Sequence, residues 1–538
     1  MGSCPGVFKK NKKGNLPVKA LFIHTDIHRF DPEDYGFNGM ICWDNMQFGI
    51  SYISSCLKEA GHKTALLYIN RHSWKDALLA CVKKEKPDTL CLGGVSTQFK
   101  HILKISRFAR SEFPEIYQVY GGINATLAEF NPGDLPFDAI CKGEGEEAML
   151  ELAGKIDKGE NPRQIMNLTV KKNGRFISNP NRPFIQDLDQ LPFPDRKMWE
   201  RYVSPEVFNK HVLLLSRGCP FECTYCSNKA LKRIAGGSYV RFRSPESIIC
   251  ELRHMRKQYP GLSEVYLETE MITANLYWLE ELCEKLREFN LNPENRFSFG
   301  ANMRIVPGTD NSRIFKMLKE SGFEYVRIGI ESGSKRVRRD ILRRNYSNED
   351  IISVFREAKT HGIKPDAYNM IGLPGERPED FEETIKVNRI VQPEEPNLSI
   401  FFPYPGTDLF EVSREKGYLK KDTDLLEERE DPALDMNFFP AGMIKKYYAR
   451  FKWDVYRGKK SAFLLLRSYI YRRYVINDKM LLRGYLFFRN LIVYPFRKIA
   501  ACKELFFPKK GTQKQAKNKT KEKKDKNNDI PDTTYTLW

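Results

Sequence analysis

Two long stretches of this chain alternate short apolar runs with helix-spaced segments, and that alternation restricts the fold more than any other feature. In residues 17–160, strands are expected at 18–24, 64–68, 89–93, 117–120 and 139–141, with helices at 49–60, from about 75, at 102–113 and at 146–156. Apolar strands separated by helices belong to a parallel sheet covered on both faces. In residues 208–420 the pattern returns, with strands expected at 212–215, 264–267, 296–302, 325–330, 365–371 and 397–402. Six strands with intervening helices suit a partial (β/α)6 barrel. The expected fold class is α/β: an N-terminal doubly wound parallel sheet, then the partial barrel, then a helical basic C-terminal extension.

Between the two stretches, residues 161–207 hold a hairpin turning at Lys172-Asn173-Gly174-Arg175 and a proline-stiffened linker, LPFPDR. Residues 1–16 read as a tail, 421–507 as a helical region and 508–538 as a disordered basic tail, lysine-rich and nearly free of apolar groups. The charge is lopsided. Residues 441–538 hold 25 Lys or Arg against 7 Asp or Glu, a net of +18, while the remainder holds 63 against 62. An anionic surface is therefore expected near the C-terminal region. The first residues, MGSCPGVFKKNKK, have no apolar run of a secretory signal, and position 6 is Gly where a myristoylation pattern needs Ser or Thr. No stretch reaches the roughly 18 apolar residues that span a bilayer, so a cytoplasmic protein is expected.

Twelve cysteines in so long a chain do not make a disulfide scaffold. Cys56, Cys81, Cys91, Cys250 and Cys283 sit singly on apolar stretches and read as buried small hydrophobes. Cys219, Cys223 and Cys226 differ. The strand HVLLL runs into SRGCPFECTYCSN, which places all three in one loop at a barrel strand's C-terminal end, spaced C-x3-C-x2-C. Three thiolates can hold three irons of a cubane and leave the fourth open to a ligand. Structural zinc is the alternative, but it wants four closed ligands and no further Cys or His follows within twenty residues. An electron-transfer cluster is another.

The C-x3-C-x2-C loop, with Tyr225 before its last cysteine, resembles the radical S-adenosylmethionine (SAM) superfamily. YVRIGIESGS (325–334), IGLPGE (371–376) and PYPGTDLFEVSREKGYL (403–419) also resemble stretches of that superfamily. The resemblance implies a 4Fe–4S cluster on Cys219, Cys223 and Cys226, with SAM near Tyr225, Glu268, Arg304, Glu331 and Ser332. Glu270 is a second acidic residue after the second barrel strand, and strand-end solubility explains that pair equally well.

Four N-terminal stretches resemble the cobalamin-binding domain that precedes many such barrels: MQFGISYISSCLKEAGH (46–62), PDTLCLGGVST (87–97), VYGGINAT (119–126) and CKGEGEEAMLEL (141–152). The resemblance implies cobalamin contacts from Gly49, Ser96, Thr97, Gly121, Gly122, Asn124, Thr126, Gly143 and Glu144. Relatives often have His where this chain has Asn124. DIHRFD (26–31) only grazes the lower-ligand motif D-x-H-x-x-G, and His28 reads as a loop histidine before a cobalt ligand.

Together these resemblances imply a cobalamin-dependent radical SAM enzyme that methylates an unactivated carbon by way of methylcobalamin and a 5′-deoxyadenosyl radical. No protein catalytic residue is assigned. Cyclisation or rearrangement on the same domains stays open, as does a non-catalytic Fe–S or cobalamin sensor. Methylthio transfer is disfavoured, because no second cysteine trio lies near residues 17–160. Expected partners are a small-molecule or lipid-like substrate and an electron donor such as flavodoxin or ferredoxin. The basic, aromatic segment 441–507 reads first as a helical cap over the barrel with arginines on its wet face, and second as a peripheral contact to the inner membrane face. Nucleic acid ranks below lipid, because the aromatic content comes with apolar runs such as FLLL and YLFF.

Overall fold

The computed structural model describes residues 17–25, 46–69, 74–130, 135–204, 208–421, 426, 428–475 and 481. In the first stretch the apolar runs form β1 (Lys19–Thr25), β2 (Lys63–Ile69), β3 (Thr89–Gly93), β4 (Tyr117–Gly121) and β5 (Ala139–Cys141). They pair in parallel in the order β2-β1-β3-β4-β5. Alternate residues explain why. Leu21, Ile23, Leu90, Leu92 and Tyr120 pack on one face with helices Trp74–Glu85 and Phe99–Glu112, while Phe22, Leu66, Val119 and Ala139 pack on the other with Phe48–Glu59 and Glu146–Asp157. Both faces are dry, so the strands read as continuous apolar runs. The chain reverses direction across the sheet between β1 and β3, which opens a crevice at their C-terminal ends.

The hairpin is β6 (Leu168–Lys172) and β7 (Arg175–Ser178), and β6 pairs antiparallel with β5, so the sheet grows to seven strands. Asn173 and Gly174 both have positive φ, 48° and 77°, as a tight two-residue turn of the right twist requires.

The linker is a buried staple. Asp195 accepts hydrogen bonds from Ser54 Oγ (2.6 Å) and Lys58 Nζ (2.5 Å), and Trp199 Nε1 donates to Ser51 Oγ (2.9 Å). The Arg196 guanidinium reaches Glu251 Oε1 (2.6 Å) and Val212 O (2.8 Å), while Arg243 holds the other oxygen of Glu251. Burial opposes the Glu251 charge, but Arg243 and Arg196 outweigh it and hold the carboxyl below its usual range. Removing one member of such a triad leaves uncompensated buried charge. Glu251→Gln is therefore expected to lower unfolding free energy by about 3–5 kcal/mol. Glu246→Gln, which removes an exposed partner of Lys285, should cost under about 1 kcal/mol. Thermal unfolding of both variants checks the contrast.

The second stretch forms β8 (Lys210–Leu214), a two-strand ribbon of β9 (Ser216–Arg217) and β10 (Arg241–Phe242), then β11 (Glu264–Glu268), β12 (Ser298–Arg304), β13 (Phe323–Glu331), β14 (Lys364–Ile371) and β15 (Pro396–Ile400). The large sheet runs β15-β14-β13-β12-β11-β8, parallel throughout and in chain order, as an open barrel requires. Several of its helices begin on side-chain caps: Ser244, Asn275, Asp310 and Ser347 each accept a hydrogen bond from a first-turn N–H. Cys56, Cys91 and Cys283 are buried as expected, but Cys81 and Cys250 are only half-buried.

The helical extension begins with Ala441–Tyr456, which caps the barrel by burying Ile444, Phe451, Val455 and Tyr456. Tyr456 Oη donates to Pro393 O (2.6 Å), and Arg389 Nη1 to Asp454 O (2.6 Å). Ala462–Ile470 follows. The described residues up to Tyr474 group as one compact unit. His28, the expected tails at 1–16 and 508–538, and most of 476–507 lie outside the described residues. Among the described residues no helix is long and apolar enough to cross a membrane.

Candidate active site

The cysteine loop leaves the ribbon through Gly218, whose φ is +86° and whose Cβ, if present, would lie 2.2 Å from Tyr239 O. Only glycine fits there, and it turns the chain toward the C-terminal edge of the barrel. Cys219 and Cys226 are half-exposed and Cys223 is buried. Thr224 fixes the loop: its Oγ1 donates to Ile341 O (2.6 Å) and its carbonyl accepts from Leu409 N (3.0 Å). Asn228 Nδ2 donates to Cys226 Sγ (3.4 Å), and Tyr239 Oη donates to Asn228 Oδ1 (2.5 Å).

All three cysteines line a cavity of about 360 Å³. Burial pushes the Cys226 thiol up to about 11 and raises Cys219 too, so a bound cation must displace their protons. Structural zinc wants four closed ligands, and the described wall of the cavity offers three thiols with no fourth Cys or His. Three thiols on one flexed loop fit a polynuclear iron–sulfur centre.

Around the loop, Arg304 Nη1 donates to Cys223 Sγ (2.8 Å), and its guanidinium lies 3.8 Å from the Phe221 ring centroid. Glu331 ends β13 with φ +59°, where the pairing with β14 shifts register. That conformation costs on the order of 1 kcal/mol or more for a non-glycine residue and is typical of functional sites. The Glu331 carboxylate accepts from Tyr225 Oη (3.0 Å) and Arg344 Nη1 (2.5 Å), and Arg344 Nη1 also donates to Tyr225 Oη (2.8 Å). Burial raises the Tyr225 phenol well above its usual range against the pull of Arg344, so it stays a donor.

Tyr225, Arg304 and Glu331 line the cavity with the cysteines, as does Arg344, which the sequence reading did not single out. Two expected SAM neighbours do not line it. Ser332 is fully buried, its Oγ beside Thr384 Oγ1 (3.3 Å) and accepting from Ser334 N (3.2 Å). Glu268 Oε1 accepts from Asn302 Nδ2 (3.2 Å), and it is Glu270 that reaches the cavity wall. The rest of the wall includes Arg327, Tyr368, Met370, Phe401, Tyr404 and Arg429.

The loops after β3, β4 and β5 are locked together by close backbone approach. A Cβ on Gly93 would lie 3.1 Å from Gly121 O, and one on Gly122 (φ +95°) 3.3 Å from Gly94 N. Thr126 Oγ1 donates to Gly122 O (2.9 Å) and accepts from Gly143 N (3.0 Å). Asn124 turns inward and donates to Tyr120 Oη (2.9 Å). Gly49 opens its helix with nothing within 4 Å of a built Cβ. Ser96 Oγ is buried with no partner among the described residues, an unsatisfied polar atom that fits a loop built to contact a ligand.

Side-chain contacts join these loops to the residues that follow them. Thr97 Oγ1 donates to Glu428 Oε2 (3.1 Å), and the other oxygen of Glu428 accepts from Tyr404 of the cavity wall. Glu144, expected as a cobalamin contact, has its carboxylate occupied instead by Arg217 Nη1 (2.9 Å), Arg241 Nη1 (2.9 Å) and Ile185 N (2.7 Å). Arg217, two residues before Cys219, also holds Glu146 (2.6 Å).

Comparison with known proteins agrees with this geometry. The Radical SAM superfamily model matches residues 213–387, and the B12 binding domain model matches 44–153. An uncharacterized methyltransferase of Pyrococcus horikoshii is 27% identical over 408 residues, covering 74% of this chain and 85% of the relative. An anaerobic magnesium-protoporphyrin IX monomethyl ester cyclase of Rubrivivax gelatinosus is 27% identical over 414 residues, covering 74% of this chain and 70% of the relative. The radical SAM methyltransferase TsrM from Kitasatospora setae, solved with cobalamin and a 4Fe–4S cluster bound, superposes with a TM-score of 0.60 at 16% identity, over 75% of this chain and 79% of that one. The chain carries a B12 binding domain ahead of a radical SAM domain, the arrangement of a cobalamin-dependent radical SAM enzyme. A 4Fe–4S cluster, SAM and cobalamin are the cofactors typical of that class, and the residues present fit them.

Proposed function

We propose that this protein methylates an unactivated carbon of a small or lipid-like substrate. The observation that carries the reading is one cavity with the three cysteines on its wall and, through Tyr404 and Glu428, a direct tie to Thr97 on the loop after β3. When bound there, the cluster and SAM would supply a 5′-deoxyadenosyl radical and cobalamin a transferable methyl group.

In this reading Cys219, Cys223 and Cys226 hold three irons. The strained Glu331, fixed by Tyr225 and Arg344, presents a carboxylate that receives an ammonium group, and Arg304 sets the electrostatics of Cys223. Met370, Ile400, Phe401 and Phe402 keep water from the reacting carbon. An electron donor such as flavodoxin or ferredoxin supplies the reducing equivalent. Glu331→Gln should leave iron content unchanged and weaken SAM binding about tenfold, the loss of one charge-assisted hydrogen bond. Equilibrium dialysis of labelled SAM measures it.

Similarity to the cyclases supports a second reading, in which the same cavity closes a ring. Product analysis separates the two. Protein reconstituted anaerobically with iron, sulfide and cobalamin is given SAM and a strong reductant. Formation of both 5′-deoxyadenosine and cobalamin-dependent S-adenosylhomocysteine supports methylation. 5′-Deoxyadenosine alone counts against methylation and for cyclisation or rearrangement, and the absence of both products points to a substrate-gated enzyme or a non-catalytic sensor.

A further inference from the structure

The helix Ala462–Ile470 and the π-turn Tyr471–Val475 that continues it carry their apolar side chains on the wrong side for an ordinary surface helix. Leu465 is the one buried side chain of the helix and anchors it to the body. Phe463 is 73% exposed, Leu466 46%, Ile470 43% and Tyr474 52%. Positions 463, 466, 470 and 474 follow helical spacing, so the four form one outward stripe on the face opposite Leu465. Leu464, also exposed, widens it. An apolar stripe that faces outward marks a binding surface.

Charge frames the stripe. Residues 455–477 hold Arg457, Lys459, Lys460, Arg467, Arg472 and Arg473 and no acidic residue. Lys459, Lys460, Arg467 and Arg473 are exposed. Apolar side chains in the middle with cations at the margins match the boundary between acyl chains and anionic headgroups. Nucleic acid would match the charge and leave the stripe wet, and a second copy of this chain would bring cation against cation. We propose that this helix face docks the protein onto an anionic membrane surface, placing a membrane-facing element on the helical extension that caps the barrel.

The test is flotation of the full-length holoprotein with vesicles of phosphatidylcholine containing phosphatidylglycerol, against vesicles of phosphatidylcholine alone. The wild type should float with the anionic vesicles and far less with the neutral ones. The triple variant Phe463→Asp, Leu466→Asp, Ile470→Asp should lose roughly tenfold or more of that binding. Because the three side chains are exposed, its thermal midpoint and iron content should match the wild type. Phe463→Trp adds a readout: its fluorescence should shift to the blue on anionic vesicles. The proposal is overturned if the wild type does not float, if it floats equally with neutral vesicles, if the triple variant still floats, or if the triple variant changes only the oligomeric state.

Discussion

Replacing Cys223 by alanine should reduce bound iron and visible absorbance to background, and 5′-deoxyadenosine formation with them. Cys223 is the buried member of the three and the one Arg304 touches at 2.8 Å. With two thiolates left, a cubane has too few protein ligands to persist. The B12 binding domain lies on the other sheet, and its loops after β3, β4 and β5 are braced by their own contacts. Cobalamin binding should therefore survive in the variant. Cys283→Ala is the matched control, since Cys283 is buried within the helix Leu276–Leu291, away from the cavity wall. That variant should lose some stability and keep its iron. Iron analysis, visible spectra and product formation on both variants decide the matter, and full iron in Cys223→Ala would remove the cluster assignment.

A second large effect is expected at Arg217. Its guanidinium joins Glu144 and Glu146, which follow β5, to the start of the cysteine loop, and it lies 5.1 Å from the Tyr52 ring centroid. Burial works against its charge, but Glu146 and Glu144 more than compensate and raise its pKa. Arg217→Met keeps the side-chain length and strands the buried Glu146 carboxylate at the junction, while Glu144 keeps Arg241, at a cost of about 3–5 kcal/mol. The loop that carries Cys219 loses its tie to the first sheet at the same time. We expect a lower thermal midpoint and a lower iron content, with Arg217→Lys intermediate because an ammonium cannot grip both carboxylates in a fork. Adding Glu146→Gln to Arg217→Met should restore part of the stability, since it removes the stranded charge. An additive double variant would show that the two side chains do not act together.

Strand positions were legible because local pattern determines them. The apolar run at 89–93 and the short run at 139–141 form strands with those bounds, since both are dry on two faces and end at a glycine or a turn. The cysteine loop was legible from spacing alone. What pattern could not show is which way a side chain points after an irregular backbone. Glu331 and Ser332 are neighbours in ESGS, yet the left-handed φ of Glu331 turns its carboxylate into the cavity and buries Ser332 behind it. IGLPGE drew attention as a resemblance, but Glu376 folds back to accept from Gly372 N (2.6 Å) and Leu373 N (3.1 Å), and burial raises its pKa to about 8. It is a turn-closing residue. Ion pairs between distant segments were also hidden. Arg196 with Glu251, Glu144 with Arg217 and Arg344 with Glu331 each read as ordinary charges until the chain brings them together. The RRDILRR run after ESGS was the available signal for Arg344, through its excess of arginine beside an acidic strand end.

The most direct measurement is the electron paramagnetic resonance spectrum of the reduced, reconstituted protein, recorded with and without SAM. Cys219, Cys223 and Cys226 would hold the cluster at the wall of the cavity that Tyr225, Arg304 and Glu331 also line, and the cluster would there offer an iron to SAM. That arrangement predicts a reduced-cluster signal whose shape and g-values change when SAM is added, and Glu331→Gln should need more SAM for the same change. A cluster signal that SAM leaves untouched at any concentration would contradict it.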